Sequence, residues 1–221
     1  MDSIYSLATF TIVATGDGVD LTGIPAVRGR PRPLLPEDYD HGVSTWPLSI
    51  RTEQVIVGGE SPWHSRGWTF QENLLAQKCL FTTAHYAAVL CRMCGKIQYE
   101  MGGITSHYPA NNIDDHHYLL GAYGITSIHA YFSCVEDYTE RELSSDSDIL
   151  TAFAVVSNVM SRNLHTPFLF GMPEKYLTQA LMWVHKNKVQ RRCGTPDVPG
   201  RGWAAWLGPV IFERRWEEAR A

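Results

Sequence analysis

At 221 residues, with 44% apolar and 19% charged side chains, the chain has the composition of a globular protein with one or two cores and not that of a disordered one. A formal net charge of -4, with no helix-length run of Lys and Arg, gives no general pull toward phosphate backbones, so nucleic acid is not expected as a partner. No apolar run approaches the roughly 20 residues that span a bilayer, and Met1 is followed by Asp2 rather than by a basic segment and an apolar stretch, so neither a membrane span nor a secretory leader is expected.

Along the chain, a short helical turn at Ile4 to Ala8 precedes an alternating stretch, Thr9, Phe10, Thr11, Ile12 and Val13, that reads as a buried strand. The strand opens abruptly, which suggests missing sequence before Met1. Gly16 to Trp46 turns to Gly, Pro, Asp and Arg, with Pro25, Pro31, Pro33 and Pro36 breaking regular structure, and predicts a long surface loop. Trp68 to Ala76 reads as a short helix. Lys78 to Thr83 and Tyr86 to Cys91 read as strands around a Thr83-Ala84-His85 turn, with Lys96 to Met101 as a third strand. Beyond a loop at 102–124, Ile128, Tyr131, Phe132, Val135 and Tyr138 recur at helical spacing. Ser145, with Asp148 three residues on, signals the start of a second helix whose stripe is Ile149, Leu150, Phe153, Val156, Val159 and Met160. Pro173 and Glu174 suit the first turn of a third helix, burying Tyr176, Leu177, Ala180, Leu181 and Val184. Pro196 to Trp216 predicts a turn followed by a strand through Trp206 to Phe212.

The stretch SRGWTFQENLLAQKCLF, Ser65 to Phe81, carries Arg66, Trp68, Thr69, Gln71, Glu72, Leu75 and Leu80 in the pattern R-x-W-T-x-Q-E-x-x-L-x-x-R-x-L-x-F, with Phe81 one position before the final Phe of the pattern. It resembles the last sequence block of the fungal heterokaryon-incompatibility (HET) domain, with Lys78 where the family commonly has Arg. Ile4 to Ala14 resembles that family's I-Y-x-x-A-x-x-T-I-V-A strand, and Gly23, Pro25 and Val27 match the G-x-P-x-V that follows. Asp146 to Met160, Gly171 to Glu174 and Leu181 to Trp183 resemble segments that accompany many such proteins. The family's opening blocks, resembling Y-x-x-L-S-Y-x-W-G and W-I-D-x-L-C-I-x-Q, have no counterpart, and Pro199 to Trp206 departs from its P-S-W-S-W-A-G-W segment.

Several residue groups invite a chemical reading. On the predicted helix, Glu72 lies four residues after Trp68 and three before Leu75, so its carboxylate shares a face with two large apolar groups. A half-buried carboxylate calls for a partner, which Arg66 or Lys78 can supply. The resemblance adds a second role for Glu72: the HET domain has been likened to the TIR domain, some members of which cleave NAD with one glutamate. Cys91 and Cys94 form a lone C-x-x-C near His85, His107, His116 and His117, and no second pair completes a zinc set, so no metal is expected. A Cys nucleophile with a His base is conceivable at Cys79 or Cys134, but nothing places a third orienting group, and free buried cysteines are usually inert. Trp203 and Trp206 suit a tryptophan-capped core better than an exposed stacking platform. The odd, scattered set of Cys79, Cys91, Cys94, Cys134 and Cys193 fits reduced thiols and a cytoplasmic location.

These readings combine into a mixed α/β fold, a strand-containing HET-like part followed by a mostly helical part. Residues 1–101 are expected to be the C-terminal portion of a HET-like domain, 102–124 a linker, and 125–221 a helical region with a Trp-rich end. The resemblance implies fungal non-self recognition, signalling that leads to programmed cell death through contacts with other proteins, without a cofactor. Arg66, Trp68, Thr69, Gln71 and Leu75 are expected to be structural. The alternatives are a TIR-like NAD-cleaving enzyme using Glu72, or an inactive fragment.

Overall fold

The computed structural model describes residues 2–14, 61–82, 86–92, 96–101, 104–109, 126–187 and 190–213. The fold is mixed α/β, and it separates into two compact units, 1–65 with 75–119 and 66–74 with 120–221. The loop expected at Gly16 to Trp46 lies outside the described residues. No helix among the described residues is long and apolar enough to cross a membrane.

The first unit is built on a five-stranded sheet in the order β1 (Thr11–Ala14), β2 (Lys78–Thr82), β3 (Tyr86–Cys91), β4 (Lys96–Met101) and β5 (Ile104–Pro109). β1 runs parallel to β2, and β2 through β5 form an antiparallel meander. Side chains alternate across a strand, and the register places Cys79 opposite Leu90 and Phe81 opposite Ala88, so these four share one buried face while Val89 points out. Trp63 closes edge-on against Phe81, with ring centroids 6.2 Å apart. Two expectations change here. The opening strand forms after helix α1 (Asp2–Leu7), but it is not buried: only Val13 is enclosed, whereas Phe10 and Ile12 are 50% and 54% exposed. The expected loop at 102–124 contains β5, whose Ile104–Pro109 pairs residue for residue with β4.

The second unit packs around helices α3 (Ile128–Thr139) and α4 (Ile149–Leu164). Ser127 caps α3 by accepting the Ala130 N–H at 3.2 Å. The apolar stripes meet as read: Tyr131, Phe132, Val135 and Tyr138 from α3 and Ile149, Phe153, Val156 and Met160 from α4 are all buried in one cluster. Ser145 does not cap the following helix. Its hydroxyl lies 2.8 Å from that of Ser147, at the 3-10 turn Asp146–Asp148 that leads into α4. Rings fill the core: Phe153 and Tyr138 lie against Trp203, and Phe132 stacks on Phe212 at 4.3 Å.

The third expected helix is short. α5 covers Leu177–Ala180, after which Trp183–His185 forms β8, paired antiparallel with β9 (Val210–Phe212). Leu181 and Val184 are therefore not on a buried helical face but 36% and 38% exposed. A small hairpin, β6 (Phe168–Leu169) and β7 (Met172–Pro173), turns through Phe170 and Gly171, both at positive φ. A Cβ at Gly171 would lie 2.8 Å from the Trp203 ring, so glycine is required there for space as well as for backbone conformation.

Candidate functional site

The motif read from the sequence becomes helix α2 (Gly67–Leu75), GWTFQENLL. Its residues through Leu74 belong to the second unit. The entry to the helix is fixed by the backbone: Arg66 forms a β-bridge with Glu142, and the Gly67 N–H donates to the Glu142 carbonyl at 2.7 Å. A Cβ at Gly67 would stand 2.5 Å from Leu143 Cδ2 and 3.3 Å from the Glu142 carbonyl oxygen. Glycine lets the two segments approach this closely without displacing the Leu143 side chain.

Polar and apolar members of the motif then divide their tasks. Phe70 and Leu74 enter the aromatic core, and Trp68 packs against it half-buried. Thr69 is buried and donates its hydroxyl to the Arg66 carbonyl at 2.7 Å. The same hydroxyl receives Arg141 Nη1 at 3.5 Å. Arg141 is itself buried. Its guanidinium lies 4.9 Å from the centre of the Phe70 ring and directs Nη2 to both oxygens of Asp137 at 3.4 Å. A buried cation is tolerable because a carboxylate, a hydroxyl and an aromatic face surround it.

Gln71 is buried with its side-chain oxygen unpaired among the described residues, and Leu75 is 7% exposed. Arg66 is exposed. Glu72 is half-buried, and among the described residues it makes no ion pair with Arg66, Lys78 or any other side chain. The structure thus ties Arg66, Thr69 and Phe70 to the 137–143 segment and leaves Glu72 out of that network. Arg141 and Asp137 escaped the sequence reading. Their four-residue spacing at the end of a predicted helix is the one local signal they carry.

The other candidates hold little chemistry. Cys134 is fully buried, and burial, reinforced by nearby Asp137, pushes its thiol well above the ordinary range, so no thiolate is on hand. Cys79 is buried and receives Arg92 Nη1 at its sulfur at 3.3 Å. Cys94, His85, His116 and His117 lie outside the described residues, and no group of three or more His, Cys, Asp or Glu among the described ones can hold a metal ion. Trp203 is in the core, donating its indole N–H to the Tyr131 hydroxyl at 3.1 Å, which in turn donates to the Gly171 carbonyl at 3.1 Å.

Residues 1–72 match the family model of the heterokaryon incompatibility protein (HET). The match is partial, ending at Glu72, and takes in α1, β1 and the first two turns of α2. No curated protein and no solved structure matches the chain. The HET-matched segment therefore includes both the Gly67 approach and the Thr69 and Phe70 side chains that engage Arg141.

Proposed function

We propose that this chain acts in heterokaryon-incompatibility signalling, as an interaction module whose protein contacts lead to cell death. The HET match over residues 1–72 carries the reading. Its support in the geometry is that Arg66, Gly67, Thr69 and Phe70 are spent on packing and hydrogen bonding, which is what a module that works by presenting a surface needs from its motif. Residues 1–101 form the HET-like part in this reading, and 125–221 the helical region that accompanies it. A fungal setting is what the resemblance implies, and the scattered cysteines suit the reducing conditions of a cytoplasm.

One observation favours a second reading. Glu72 sits half-buried beside this network without an ion pair among the described residues, and a carboxylate so placed is available to a ligand. A TIR-like NAD-cleaving activity would run through it.

The two readings separate in one experiment. Wild type and Glu72→Gln are expressed under an inducible promoter in a filamentous fungus, and the purified chains are assayed for NAD loss. The module reading expects death on induction with both chains and no Glu72-dependent NAD loss. NAD cleavage abolished by Glu72→Gln overturns it in favour of the enzyme.

A further inference from the structure

The β8–β9 hairpin carries a histidine in an unusual seat. The His185 ring stands edge-to-face with two indoles, 4.8 Å from Trp183 and 5.5 Å from Trp206, at interplanar angles of 77° and 70°. Both indoles are anchored to one turn: Trp183 donates to the Arg201 carbonyl at 3.0 Å and Trp206 to the Gly200 carbonyl at 2.8 Å. The clamp is held from behind as well, since Arg191 forms a β-bridge with Trp206 and Leu207 N–H donates to the Gln190 carbonyl. Within it, His185 Nδ1 is buried and has no hydrogen-bond partner among the described residues.

We propose that His185 is an acid-sensitive latch: protonation places a charged N–H donor in the Trp183–Trp206 clamp, where no acceptor meets it, and loosens the β8–β9 hairpin from the Gly200–Arg201 turn. A neutral imidazole tolerates an unpaired nitrogen in an apolar seat far better than an imidazolium tolerates an unpaired N–H. Among the described residues no carboxylate pairs with His185. Lys186, next in the strand, already engages Glu140 at the end of α3. Arg191 directs Nη2 to the Val198 carbonyl and Arg201 meets Trp183 through its backbone carbonyl, while Glu136 of α3 accepts the Phe212 N–H and Glu213 follows β9 with its backbone N–H on the Met182 carbonyl. Burial also holds the imidazole below its ordinary value of 6.5. The opposing force is attraction of an imidazolium to the indole rings.

The sign of the effect follows. With the folded-state value depressed, both states are neutral well above pH 6.5, and His185 contributes nothing there. As the pH falls through 6.5 the unfolded chain takes up the proton first, so stability drops until the folded-state value is also passed. This inference does not depend on the recognition role proposed above.

The test uses the whole purified chain. The side-chain nitrogens of His185 are titrated by NMR from about pH 8 to about pH 5, alongside tryptophan emission and thermal midpoint. His185→Phe, which keeps a ring in the clamp, serves as the control for the other histidines. The latch expects His185 to titrate below 6.5, the wild-type midpoint to fall by about 2 °C or more relative to His185→Phe, and emission to shift to the red in wild type alone. Titration at or above 6.5, or superimposable profiles of the two chains, overturns it. If His185→Phe does not fold, the wild-type titration decides alone.

Discussion

The two units solve the problem of a core in different ways. In the sheet, the enclosed face among the described residues is made of small and medium side chains, Val13, Cys79, Ala88 and Leu90, around the ring of Phe81 with Trp63 against it, and its definition comes from backbone pairing across five strands. In the helical unit the core is a set of rings, Phe70, Tyr131, Phe132, Tyr138, Phe153, Trp203 and Phe212, and two of its polar atoms are satisfied inside it by the relay from Trp203 through Tyr131 to Gly171. A ring core concentrates stability in few residues. A paired sheet spreads it over many hydrogen bonds, each worth about 1 kcal/mol net. Helix α2 belongs to the concentrated kind, because Phe70, within the segment that matches the HET model, and Leu74 just beyond it sit in the ring core.

That contrast is open to attack at its largest point first. Trp203→Ala removes a 1%-exposed indole and leaves the Tyr131 hydroxyl without its donor. The expected cost is about 3–5 kcal/mol, read as a lower denaturant midpoint. Ala88→Gly, on the enclosed face of the sheet, removes one methyl and adds backbone freedom, and is expected to cost about 1 kcal/mol by the same measurement. Comparable losses at the two positions would refute a concentrated ring core. Next in size is Gly67→Ala. The added methyl meets Leu143 at 2.5 Å, the movable end of a side chain, and the rigid Glu142 carbonyl at 3.3 Å. Over-packing of this kind costs about 1–3 kcal/mol. Thermal unfolding that is unchanged in Gly67→Ala would show that the Arg66–Glu142 junction yields.

How far the sequence reveals this arrangement depends on whether the partners are local. The stripes of α3 and α4 are legible because 3.6-residue spacing is written into consecutive residues, and both helices appear where Tyr131, Phe132, Phe153 and Val156 place them. β5 is not legible, since Ile104–Pro109 mixes Thr, Ser and His with a terminal proline and becomes a strand through its pairing with β4. The run Leu177 to Val184 satisfies a helical stripe, yet it breaks because Trp183–His185 finds β9 far along the chain, a gain no local spacing announces. The opening strand shows the reverse failure. Phe10 and Ile12 are apolar enough to read as core, but exposure is decided by what lies across the sheet face and not by the strand itself. At the candidate site the motif residues are legible and their partners are not: Arg141, held by Asp137, reaches Thr69 and Phe70 across a long stretch of chain, and neither residue type marks a buried position by itself.

A smaller effect is expected from Lys186→Ala. The Lys186–Glu140 pair has side chains 42% and 51% exposed, and ion pairs in that setting contribute about 0–1 kcal/mol and less in salt. A loss well above that range, persisting at high salt, would mean that the pair braces the β8–β9 hairpin rather than decorating it.

The smallest expected change in stability is at Glu72, and its smallness is what makes the variant useful. Phe70, two residues before it on α2, is 1% exposed and part of the ring core, so its substitution confounds folding with function. Glu72 is half-buried and shares no ion pair among the described residues, and glutamine keeps its length and shape. Glu72→Gln should unfold within about 0.5 kcal/mol of wild type. With folding held constant, a change in NAD loss or in cell death on induction reports on the carboxylate itself. A destabilisation above about 1 kcal/mol would instead place Glu72 in the structural network, alongside Thr69.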